Sequence, residues 1–166
     1  MKRIYSLVFI FCVCFTVQSQ LLDGQAQNFT RADTLRGSLR PERTSFDVLS
    51  YTLDIKLDPE KRYISGYNKI EFKVLKKTNT IQLDLFQNMK IDSIVYEDKL
   101  LEYKREENAV FISFEKALTS GALESLKFYY SGYPKVAKNA PWDGGFVFSQ
   151  DAQGKPFIAV AVQGTG

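Results

Sequence analysis

Residues 46–74 read FDVLSYTLDIKLDPEKRYISGYNKIEFKV. Tyr51, Leu53, Ile55 and Leu57 alternate with Thr52, Asp54, Lys56 and Asp58. Apolar residues at period two place one strand face against a core and the other in water. The polar turn Asp58-Pro59-Glu60-Lys61-Arg62 follows, and a second strand then runs from Tyr63 through Ile70, Phe72 and Val74. Two such runs joined by a turn predict an antiparallel β pair. Each Leu, Ile or Phe buried on that face contributes roughly 1.5–3 kcal/mol. On this reading, a charge placed at Leu53, Ile55 or Phe72 unfolds the domain.

The pattern repeats outward from this pair. Ile81, Leu83 and Leu85 alternate, as do Val110, Ile112 and Phe114, and Leu126, Phe128 and Tyr130. Ile91, Ile94 and Tyr96 predict a strand with imperfect alternation, Leu101-Glu102-Tyr103 a short one, and residues 157–162 the last. Turn signals separate the runs, and Gly121 makes residues 117–125 a loop. Short strands at this spacing, without a convincing amphipathic helix, predict an all-β fold, an antiparallel β-sandwich. At 166 residues and 45% hydrophobic content, the chain supports one well-buried domain.

The N-terminus reads differently. Lys2 and Arg3 precede an apolar run over residues 4–17, and Val17-Gln18-Ser19 offers a small residue for cleavage. The run is shorter than the ~20 residues a membrane-spanning helix needs. Residues 1–19 are therefore read as a cleaved signal peptide, with no stable membrane anchor and an exported product: periplasmic, cell-surface or extracellular. Cleavage removes Lys2 and Arg3, taking the formal charge from +3 to +1, and also removes Cys12 and Cys14, the only cysteines. A balance so near neutral, with Lys and Arg interleaved among acids, gives nucleic acid no footprint. Residues 20–45 are polar and aperiodic, interrupted by Gly24, Gly37 and Pro41. They predict a flexible leader or a segment draped over the domain, which itself spans residues 46–166.

The chemistry is bounded by an absence: the chain has no histidine. Zinc held by nitrogen or by mature thiolates is excluded, as are Ser-His-Asp and Cys-His nucleophile systems. The carboxylate pairs Asp58 with Glu60, Asp92 with Asp98, and Glu106 with Glu107 flank turn residues, so solvated turns describe them better than a glycosidase acid pair. The loop Pro141-Trp142-Asp143-Gly144-Gly145-Phe146 carries the single tryptophan. It reads either as a ligand-side loop or as a turn whose Trp packs on the sandwich edge.

Four strings, taken in order, carry a resemblance: FTRADTLRGSLRPERTSFDVLSYTLDI at 29–55, ISGYNKIEF at 64–72, PWDGGFVF at 141–148, and the final QGTG. Residues from about 29 to 166 resemble the N-terminal domain of zinc aminopeptidases of the aminopeptidase N family, most closely exported bacterial members. The resemblance implies a saddle-like β-sandwich that packs on a separate thermolysin-like catalytic domain. In the family that domain holds His-Glu-x-x-His, a downstream zinc-binding Glu, the Gly-x-Met-Glu-Asn exopeptidase loop and an oxyanion-stabilising tyrosine. None of these motifs occurs here, so the resemblance implies a chain ending before the catalytic domain. Catalytic residues, metal ligands and cofactor are then none in this chain, and zinc belongs to the missing domain. One family role transfers: a Gln after the last strand that helps hold the substrate's free amino terminus, which here is Gln163, with Gly164 letting the backbone run close to the peptide. An amide oxygen accepts a hydrogen bond from an ammonium group, enough to orient a substrate and too little to catalyse.

The implied function is the non-catalytic domain of an exported metallopeptidase that removes N-terminal residues from peptides, inactive alone. Its implied partners are the peptide substrate and the missing catalytic domain, and an apolar patch near the C-terminus is expected for that contact. Two other readings stand beside it. One is an independent exported carbohydrate-binding sandwich using Trp142 and the tyrosines as a stacking platform. The other is a structural or regulatory protein that docks on a peptidase in trans.

Overall fold

The computed structural model describes residues 29–162. The residues read as a signal peptide, and Gln163 and Gly164, lie outside the described residues. Among the described residues, ten strands follow two short helices. The helices are α1 (Arg31–Gly37) and α2 (Pro41–Thr44). The strands are β1 (Phe46–Asp58), β2 (Tyr63–Val74), β3 (Thr78–Asp84), β4 (Met89–Tyr96), β5 (Lys99–Leu100), β6 (Glu102–Glu106), β7 (Ala109–Leu118), β8 (Leu123–Gly132), β9 (Gly145–Gln150) and β10 (Pro156–Ala161). They form a five-stranded sheet in the order β1-β2-β8-β4-β5, a three-stranded sheet β3-β7-β6, and the hairpin β9–β10, all antiparallel. The all-β reading of the sequence holds.

The β1–β2 pair anticipated from residues 46–74 is present, closed by a turn in which the Asp58 carboxylate accepts the Lys61 N–H at 3.0 Å. One core lies between the five- and three-stranded layers. Ile70, Phe72 and Val74 of β2, Ile91 and Ile94 of β4, and Leu126 and Phe128 of β8 meet Ile81 of β3 and Val110, Ile112 and Phe114 of β7. The imperfect alternation of β4 is a bulge between Ile91 and Ser93, which keeps Ile94 and Tyr96 on the core face despite the odd spacing.

The alternation over Tyr51, Leu53, Ile55 and Leu57 selects the right face but not its burial. These residues stand opposite Ile70, Asn68, Gly66 and Ile64 of β2, on the side of the sheet that carries Phe72. Yet Leu53 is 59% exposed, Ile55 38% and Leu57 48%. This corrects the expectation that charging Leu53 or Ile55 unfolds the domain; for the fully buried Phe72 that expectation is kept. The reason is length. β1 has 13 residues and β3 has 7, so the small sheet covers only the half bearing Phe46, Val48 and Phe72.

The segment read as a leader or draped segment contains both helices. Gly37 ends α1 and Pro41 opens α2, so the residues that interrupt one long helix delimit two short ones. Leu35 of α1 is buried, and its carbonyl accepts from Gln82 Nε2 of β3 at 2.9 Å. Gln82 lies next to core-facing Ile81 and so on the outer face of the small sheet. There Phe111, its partner on β7, takes the Arg40 guanidinium over its ring at 5.4 Å.

Candidate functional site

The half of the large sheet left bare by the small one is the most distinctive surface among the described residues. Tyr51, Leu53, Ile55 and Leu57 form one side of it. Its backbone is drawn tight at Gly66, which has φ +149° and sits opposite Ile55; a Cβ there would lie 2.0 Å from the Asp54 carbonyl oxygen. Only glycine fits at that crossing.

Two clefts border the bare face. One, of about 670 Å³, opens between the layers and is lined by Tyr51, Asn68, Gln82, Asp84, Phe128 and Tyr130. The side-chain oxygen of Asn68 is buried there without a hydrogen-bond partner. Burial also raises the Tyr130 phenol above the ordinary tyrosine range. The second cleft, of about 400 Å³, runs beside β9–β10 and is lined mainly by Ile64, Met89, Phe146, Val160 and Val162. The hairpin is held toward the β1–β2 turn by Arg62, whose guanidinium lies 5.6 Å from the Phe148 ring centre. Gly145 starts β9 with φ +148°, where a Cβ would meet the Ala137 nitrogen at 2.7 Å. Phe157, Val160 and Val162 are exposed as well, so apolar surface continues to the end of the described chain.

Three of the sequence-flagged acids, Asp58, Asp92 and Glu106, are held by nearby donors. Asp58 is held below the usual carboxylate range, chiefly by the Lys61 N–H. Asp92 is lowered by Lys90 at 2.9 Å, and Glu106 by Arg31, whose Nε lies 2.7 Å away. Asp98 and Glu107 have positive φ in turns, at 59° and 54°. Lowered carboxylates are ionised near neutral pH and make poor proton donors. Among the described residues no group of three His, Cys, Asp or Glu is placed to hold a metal, and the sequence supplies no histidine. The donors among the described residues do not fit a zinc site. Among the described residues no helix is long and apolar enough to cross a membrane.

In the 141–146 loop, Trp142 is 78% exposed and does not pack on a sheet edge. The loop is organised by Asp143, whose carboxylate accepts the N–H groups of Lys138 at 2.6 Å and Asn139 at 2.7 Å. These backbone bonds lower its pKa, Lys138 first. Sequence reasoning named the loop but missed this role; an Asp four or five residues after two exposed backbone donors is the signal.

No protein-family model matches the chain, and no curated protein sequence matches it. Solved structures do. A two-domain M1 zinc metallopeptidase bound to L-arginine superposes with TM-score 0.52 at 18% identity, over 69% of this chain and 28% of that one. The M1 zinc metallopeptidase from Deinococcus radiodurans gives 0.53 at 19%, over 67% of this chain and 27% of that one. Native yeast LTA4 hydrolase gives 0.53 at 17%, over 69% and 18%.

The fold is one that M1 zinc metallopeptidases contain. At such identities the likeness establishes the fold of the M1-type β-domain and nothing of its chemistry. The chain spans about a quarter of the length of the M1 metallopeptidases it matches, 28% in the two-domain case.

Proposed function

We propose that this chain is the non-catalytic β-domain of an exported zinc aminopeptidase, inactive by itself. The observation that carries the reading is the bare apolar half-face: Tyr51, Leu53, Ile55 and Leu57 lie exposed on the same side of the sheet as the core. A strand face of this composition is normally covered. Contacts between domains of one chain commonly bury 600–1,500 Å². The likeness to M1 enzymes over about a quarter of their length supports a catalytic domain as the cover. On this reading Gln163 helps hold the substrate's free amino terminus, with Gly164 beside it in sequence, while zinc and the general base belong to sequence this chain does not contain.

The purified chain is expected to hydrolyse no aminoacyl anilide with or without added zinc. Turnover by the chain alone would overturn the inactivity. Reading the coding sequence past the Gly166 codon tests the parentage. An open frame reaching His-Glu-x-x-His supports it, and an immediate stop codon removes it.

The exposure of Trp142 favours a second reading, a carbohydrate-binding module. Its tryptophan fluorescence would respond to glycans; silence across a broad panel eliminates it.

A further inference from the structure

β1 is an edge strand: among the described residues it pairs with β2 alone, and its other side offers backbone groups along 13 residues. Such an edge is a template for another strand. On the solvent face Asp54 stands opposite Tyr67 of β2, and Lys56 opposite Ser65. Neither lies within ion-pair distance of another described residue, and Lys56 acts only through space on Asp58, two residues along the same face.

A second copy of β1 laid antiparallel along this edge matches them. With the two Ile55 residues opposed on a two-fold axis, Asp54 faces Lys56 of the second copy and Lys56 faces its Asp54. On the same face Thr52 meets Asp58, and on the other face Leu53 meets Leu57 in both directions. The adjacent registers that keep the faces aligned are worse. One sets Asp54 against Asp54. The other sets Lys56 against Lys56 and Asp54 against Asp58. Cross-strand opposites attract and like charges repel, so of these three registers the one centred on Ile55 is favoured. An isologous contact of this kind closes as a dimer.

We propose that the free edge of β1 is a homodimerisation surface, joining two large sheets into one through antiparallel β1–β1 pairing centred on Ile55. The pairing uses the strand's edge and leaves the apolar half-face open, so it does not depend on the peptidase reading.

The test is sedimentation velocity on the purified chain over a wide concentration range. The expected result is a monomer–dimer equilibrium. Lys56→Asp and Asp54→Lys each weaken it roughly tenfold or more, and the double swap restores it. Both residues are exposed, and circular dichroism should show the variants folded. As a second readout, Ile55→Cys should oxidise to a covalent dimer, while Leu39→Cys, exposed away from this edge, should not. A chain that stays monomeric overturns the proposal. So does a dimer insensitive to the single reversals, or one that the double swap fails to recover.

Discussion

Leu57 and Ile64 face each other across the β1–β2 pair, yet Ile64 is 7% exposed and Leu57 48%. The boundary between covered and bare sheet passes between these two side chains. Ile64 lines the cleft beside β9–β10 together with Phe146 and Val160, whereas Leu57 lines no part of it and stays about half exposed. Two residues of one apolar pattern thus occupy different energetic positions: one supports the fold, and the other remains available to a partner.

Substitutions along the two strands should therefore separate sharply. Phe72→Ala is expected to cost about 3–5 kcal/mol, and Phe72→Asp should prevent folding. Leu53→Ala should cost less than about 1 kcal/mol, and Leu53→Asp should melt close to the unmodified chain. Urea denaturation measures all four. A Leu53→Asp chain that fails to fold would mean this face is covered within the chain itself, and the docking reading would be lost with it.

The α1–β3 junction makes a second ordering. Arg43 donates to the Leu35 carbonyl at 3.3 Å and to the Asp84 carboxylate, while Gln82 Nε2 donates to the same two residues. Leu35 is buried beside them. Leu35→Ala should cost about 2–5 kcal/mol by emptying that site. Arg43→Ala should cost only about 1 kcal/mol, because the Asp84 side chain remains 41% exposed and water replaces much of the pairing. Thermal melts, with limited proteolysis of residues 31–44, give the order. Arg43→Ala falling below Leu35→Ala would reverse the assignment of what holds α1 down.

The strand content was legible because period two survives in nearly every run, and even the irregular spacing of Ile91, Ile94 and Tyr96 marks a real bulge. Which face of β1 is apolar was legible for the same reason. Its burial was not: that depends on how far the opposing sheet extends, a property of β3 and β7 rather than of β1. The helices were hidden because α1 buries a single apolar side chain, Leu35, which gives no helical period to detect. Engagement of Asp58 and Asp92 was legible from the lysines two or three residues away, whereas Arg31, the partner of Glu106, lies 75 residues off in sequence. For Asp143 no side-chain partner marks the role, and only its spacing after Lys138 and Asn139 signals it.

Acid should loosen the Trp142 loop before it unfolds the sheets. The Asp143 carboxyl is held below its ordinary value of 3.8 by backbone N–H bonds, so the folded loop prefers the ionised form. A group with a depressed folded pKa contributes its stabilisation fully above the unfolded value and loses it as pH falls through the folded one. The change therefore begins near pH 3.8 and completes below it. The lone tryptophan, adjacent and exposed, reports it by fluorescence. Asp143→Asn should remove that acid transition while leaving the far-ultraviolet circular dichroism unchanged. An identical titration in the variant would detach Asp143 from the loop's order.

Gly66 gives the sharpest test of how β1 is held. It pairs with Ile55 of β1 on one side and Tyr130 of β8 on the other, so any displacement is felt by both strands. A Cβ at this φ of +149° would overlap the Asp54 carbonyl oxygen, which belongs to the backbone and cannot rotate away. Gly154 is a matched control. It also has positive φ, at 77°, but nothing stands within 4 Å of its would-be Cβ. Gly154→Ala should cost about 1 kcal/mol in conformational strain alone. Gly66→Ala should cost at least about 3 kcal/mol, since the β1–β2 ladder must part to admit the methyl group. Urea midpoints compare the two directly. Equal losses would show that β1 yields freely at Asp54, and that the close crossing does not fix the position of the strand.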